Sequence, residues 1–169
     1  MIRPNRQSKV TYTSQGAKIQ IDKYNGDAYF NVCFGFPGSA SASDYLTVPK
    51  TTKSVKMTNY PYIVLDMKVV SANASSVQFQ SIYVNSGTRW QGTNNNFAGF
   101  NNAFSNDNAF HKYVIDTSSN SYISGQLNTI RIGYLMPLNG FTISNGDYII
   151  LRSIKFAQTS AEATALAAN

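Results

Sequence analysis

The sequence predicts an all-β chain: a two-sheet, antiparallel, jelly-roll-like β-sandwich with a short C-terminal helix. Three observations carry this reading. Residues 129–156, TIRIGYLMPLNGFTISNGDYIILRSIKF, set two apolar runs rich in β-branched and aromatic residues around Asn139-Gly140 and Asn145-Gly146, a strand-and-turn pattern. Runs of the same texture, eight or more, recur along the chain between turn signals, the spacing of a sandwich. Helical signal is confined to the Ala-rich C-terminus. An immunoglobulin-type sandwich is disfavoured, because the single Cys and single Trp cannot make its Cys…Trp…Cys pattern.

In chain order, residues 1–8 read as an extended basic arm. Residues 9–13 and 17–22 alternate as short strands around Ser14-Gln15-Gly16. Asn25-Gly26-Asp27 is a turn. Residues 29–36, YFNVCFGF, read as a central strand holding Cys33 as a small core residue, ended by Pro37-Gly38. Residues 39–44 read as a loop, and residues 45–57 as an edge strand limited by Pro49.

Residues 60–70 alternate clearly, with Ile63, Leu65, Met67 and Val69 on one face. Residues 76–85 are the expected antiparallel neighbour of that strand. Residues 87–108 hold seven Asn and four aromatics without a period, a long segment of the kind that carries function. Strands are then expected at 110–116, 122–127, 129–135, 141–143 and 148–157. Thr159 and Glu162 form a capping box that opens a helix over 161–168. The domain reading is an arm at 1–8, one sandwich domain at 9–157, and a helix or tail at 158–169.

Charged residues are 13% of the chain, while Tyr and Phe together number twenty-one. Such a surface suits neutral sugars or protein neighbours in an assembly. The net charge of +6 comes from basic residues spread along the sequence, which argues against a specific nucleic-acid interface. No segment approaches a membrane span, and the first ten residues lack the apolar run of a secretory signal. The expected location is therefore extracellular or at a cell surface, as a module of a secreted protein, or in a virion.

Catalysis is not expected. There are seven Asp, one Glu and one His; no spacing selects a carboxylate pair, and a lone His111 excludes a multi-His metal centre. No cofactor is expected. Calcium is the one metal considered, with Asn106-Asp107-Asn108, or Asp22, Asp27 and Asp147 brought together by the fold, as oxygen donors.

Binding is the more productive reading. Sugar rings stack their C–H faces on aromatics while amides and guanidinium groups pair with hydroxyls. Arg89, Trp90 and Asn94 combine these groups in a short span, and Tyr83, Tyr134 and Arg131 can join from neighbouring strands. The competing reading makes Trp90 a cap on the core under a long loop.

The closing pattern, Tyr113-Val114-Ile115-Asp116, then Ile130-Arg131-Ile132, then residues 146–156 and an Ala- and Glu-containing helix, resembles the last third of galactose-binding-like and carbohydrate-binding-module jelly rolls. Tyr60-Pro61-Tyr62-Ile63-Val64 resembles their central strand. The resemblance covers about half the chain. It implies a non-catalytic sandwich that binds ligand on a concave sheet face or in loops at one end. The expected function is glycan binding or adhesion, with a neutral polysaccharide or cell-surface glycan as partner. The alternative is a phage virion protein, such as a capsid decoration, head fibre or tail component, held by contacts with other subunits.

Overall fold

A computed structural model describes residues 2–4, 7–25, 29–33, 55–72, 76–78, 81–85, 97–98, 103–119, 126–127, 129–133 and 144–169. Among these, every strand pairing is antiparallel. The strands are β1 (Ile2–Pro4), β2 (Ser8–Thr13), β3 (Gly16–Ile21), β4 (Tyr29–Cys33), β5 (Val55–Lys56), β6 (Tyr62–Val70), β7 (Ser76–Gln78), β8 (Ser81–Asn85), β9 (Phe97–Ala98), β10 (Ala103–Ser105), β11 (Phe110–Asp116), β12 (Gln126–Leu127), β13 (Thr129–Gly133) and β14 (Tyr148–Ala157); one helix, α1 (Ser160–Ala168), follows. Two five-stranded sheets, ordered β1-β4-β13-β8-β9 and β11-β6-β14-β3-β2, make an all-β sandwich; β10–β7 and β12–β5 are small additional pairs.

Among the described residues, most of the buried core side chains belong to the second sheet. Ile63, Leu65, Met67 and Val69 of β6 are fully buried, with Ile19 and Ile21 of β3, Ile115 of β11 and Ile149 of β14. The first sheet meets them through Phe30, also fully buried, and through Ile2 and Val32 packed beside it. Alternation in β6 and β3 therefore sorts side chains between core and outer face, as the sequence pattern predicts.

Several predicted elements match closely. β14 spans the predicted residues, and β2, β3 and β11 agree within a residue or two at each end. The partner assignment of residues 76–85 is corrected. β6 pairs with β11 and β14, whereas β8 lies in the other sheet, between β13 and β9. Chain neighbours repeatedly cross between the layers, and the hydrophobic pattern that marks a strand does not name its partner. Within the segment read as an arm, Ile2–Pro4 pair with Phe30–Val32 of β4. The turn at Asn25-Gly26-Asp27 and the strand expected at 141–143 lie wholly or partly outside the described residues.

The helix forms as its capping box predicts. Glu162 N–H donates to Thr159 Oγ1 at 3.1 Å, and Gln158 N–H donates to Glu162 Oε2 at 2.7 Å, one residue earlier than the reciprocal bond of an ideal box. Ala163 buries itself against Val64 and Ala157, so α1 covers one end of the outer face of the β11-β6-β14-β3-β2 sheet.

Candidate functional site

In the β1-β4-β13-β8-β9 sheet the register aligns one row across five strands: Arg3 opposite Asn31, Asn31 opposite Arg131, Arg131 opposite Tyr83, and Tyr83 opposite Phe97. Phe30 and Val32, the positions flanking Asn31 in β4, belong to the core or pack against it. Four inter-strand steps of about 4.8 Å make the row about 19 Å long.

Of the residues that the sequence reading selects, Tyr83 and Arg131 are brought together as direct cross-strand partners. Arg89, Trp90, Asn94 and Tyr134 lie outside the described residues. The connection that carries Arg89, Trp90 and Asn94 leaves β8 at Asn85, beside Thr129, and returns as Phe97 opposite Tyr83. Tyr134 follows Gly133, which pairs with Ser81 at the opposite end of β8. Sequence reasoning missed Arg3, Asn31 and Phe97 as companions of this row. The one local signal was Asn31 interrupting the apolar alternation of Phe30 and Val32.

The outer face of the second sheet carries a different arrangement. A bulge between Leu151 and Ser153 inserts Arg152 as an extra residue of β14. Its guanidinium carbon lies 3.6 Å from the centre of the Phe110 ring, and Nη1 lies 3.6 Å from Asp66 Oδ2. Lys68 Nζ is 5.5 Å from the same ring, and Lys18 Nζ stands 4.0 Å from the Tyr148 ring. Each such contact is worth about 0.5–1 kcal/mol at an exposed position.

The described carboxylates have local partners. Asp147, 3% exposed, accepts from Ser71 Oγ, Ala72 N–H and Ser144 N–H at 2.8–3.0 Å. Asp116 accepts from Ser118 N–H, Asp22 faces Lys9 at 3.4 Å, and Glu162 caps the helix. His111 Nε2 lies 2.8 and 2.9 Å from the two oxygens of Asp107. The Ala109 N–H first, and then His111, hold the Asp107 carboxyl below its ordinary range. Burial pushes the Tyr113 phenol up, although it accepts a bond from Ser105 N–H.

Of the oxygen donors considered for calcium, Asn106, Asp107, Asp22 and Asp147 make local bonds, and Asp27 lies outside the described residues. Asn106 clamps both backbone groups of Ser71 at 2.8 Å, Asp107 holds His111, and Asp147 holds three donors. Among the described residues, no group of three or more His, Cys, Asp or Glu is placed to hold a metal ion.

No protein-family model matches the chain, and no match was found among curated proteins. Two solved structures are similar to it. One is a low-affinity xylan-binding module, CBM86, from the gut symbiont Roseburia intestinalis, at 14% identity over 96% of this chain and 97% of that one, with a TM-score of 0.45. The other is Xylanase10C from Cellvibrio japonicus in complex with xylopentaose, at 11% identity over 94% of this chain and 27% of that one, with a TM-score of 0.41.

Proposed function

We propose that this chain is a non-catalytic carbohydrate-binding module that holds neutral polysaccharide along the Arg3–Asn31–Arg131–Tyr83–Phe97 row, at a cell or particle surface. The observation that carries the reading is the cross-strand pairing of Arg131 with Tyr83, flanked by Asn31 and Phe97. Guanidinium, amide and aromatic groups in one line are the set that pairs with hydroxyls and stacks on sugar C–H faces. A row about 19 Å long suits a stretch of polymer better than a single small molecule. Arg89, Trp90, Asn94 and Tyr134, on the connections that enter this sheet, are the further ligand-binding residues of the proposal.

The non-catalytic part of the reading is supported by the described carboxylates. Glycoside hydrolysis needs one acid and one base or nucleophile facing each other across the scissile bond. Here Asp147 is committed to three buried donors and Glu162 to the helix cap, while Asp107 and Asp66 sit beside cationic or imidazole partners.

Affinity electrophoresis on gels containing neutral polysaccharides, xylan among them, tests the proposal. Wild-type protein should be retarded on at least one. Tyr83→Ala and Arg131→Ala should each weaken that retardation about tenfold, the equivalent of about 1.4 kcal/mol. Migration of the wild type unchanged on every neutral polymer would refute it.

A further inference from the structure

The cations that look dispersed in the sequence are gathered by the fold. Lys18 of β3, Lys68 of β6, Lys112 of β11, and Arg152 and Lys155 of β14 all occupy outer-face positions of the β11-β6-β14-β3-β2 sheet. Lys18, Ile150 and Lys68 form one row, and Lys112, Asp66 and Ser153 the next. Ile150 is only 5% exposed and belongs to neither core cluster, which fits coverage by the two lysine stems beside it, their ammonium groups left outward. Among the described residues, only Arg152 of these five has a carboxylate partner, Asp66. The other acids on this face among the described residues are Asp22, paired with Lys9 at the β2 edge, and Asp116 at the far end, where its side chain accepts from Ser118 N–H.

We infer that this face is a second binding surface, separate from the proposed neutral-sugar row, and that its ligand is an acidic, carboxylate-bearing polysaccharide. The argument is charge complementarity on an open sheet face. Four lysines with no carboxylate partner among the described residues offer ammonium donors spread over four adjacent strands, a field suited to a polymer of regularly spaced anions. Guanidinium and ammonium groups form their strongest hydrogen bonds with ionised oxygens.

A nucleic acid fits less well. Proteins that hold single strands stack bases on open aromatic faces, but here Arg152 lies over Phe110 and Lys18 over Tyr148. Duplex readout calls for a helix or ribbon that enters a groove, whereas this face is a broad sheet.

The test uses the full chain in gels containing polygalacturonate, with oligothymidylate as the competing polyanion. Retardation by polygalacturonate should be clear at low salt and lost in 1 M NaCl, where the screening length falls to about 3 Å. The triple variant Lys18→Gln, Lys68→Gln, Lys155→Gln should lose at least about tenfold in affinity, while Tyr83→Ala should be retarded like wild type. Lys155→Glu alone, at an exposed position, gives the same direction of change without disturbing Ile150. Absence of wild-type retardation, or unchanged retardation of both lysine variants, would overturn the inference. Equal binding of oligothymidylate, lost by the same variants, would also overturn it in favour of an unselective polyanion surface. Because Tyr83 and Arg131 lie in the other sheet, failure of the neutral-sugar reading leaves this outcome separately readable.

Discussion

Gly16 backs onto the carbonyl of Leu151 so closely that a β-carbon on Gly16 would lie 2.5 Å from the Leu151 oxygen, and its φ is +137°. The contact falls at the β14 bulge, where Arg152 leaves the regular ladder and reaches Phe110 and Asp66. A glycine at the start of β3 thus allows the close backbone approach beside the bulge that places the Arg152 guanidinium.

Gly16→Ala should therefore destabilise the fold by about 2–3 kcal/mol, from backbone strain plus the clash with Leu151. Gly146→Ala serves as the control. Its φ is +101°, but the nearest neighbour of an added β-carbon would be Gln20 Nε2 at 4.0 Å, so strain without a clash should cost about 1 kcal/mol. Urea unfolding of both variants checks the difference.

Asp147 ties the Ser71–Ala72 turn to the start of β14, and Asn106 grips Ser71 from the other side. Asp147→Ala leaves two backbone N–H groups and a hydroxyl without their acceptor. The expected loss is about 3 kcal/mol. Asn106→Ala removes two neutral bonds and should cost about 1–2 kcal/mol. Denaturant midpoints of the two variants should keep that order.

The Asp107 carboxyl, held below its ordinary value of 3.8 chiefly by the Ala109 N–H and then by His111, sets the sign of an acid response. Above that ordinary value the carboxylate is ionised in folded and unfolded chains alike, and its contribution is fully present. As pH falls from there through the lower folded value, the unfolded chain takes up the proton first and the contribution disappears. Asp107→Asn should flatten the decline in stability below about pH 4. Unfolding midpoints measured from pH 7 to pH 2 would show this; parallel wild-type and variant curves would contradict it.

Thr159→Ala removes the acceptor for Glu162 N–H and should cost about 1 kcal/mol of helix stability. Because Ala163 of that helix packs on Val64 and Ala157, the loss should appear as faster amide exchange across α1 with little change in β3. Uniform acceleration over the whole sandwich would mean that the helix is not a separate opening unit.

Local chemistry made part of this protein legible in one dimension. The alternation Ile63, Leu65, Met67, Val69 determined which face of β6 is buried, the run 148–157 determined β14, and Thr159 with Glu162 determined where the helix starts. Each depends on residues a few positions apart, and side-chain period and capping act at that range. Pairing was decided only in three dimensions. Residues 76–85 carry a strand pattern equally suited to β6 or β13, and the layer they join depends on how the whole chain closes its core. The alignment of Arg131 with Tyr83, and the collection of lysines from four strands on one face, follow from that closure. Register brings together residues far apart in sequence, and no local pattern encodes which strand will lie alongside.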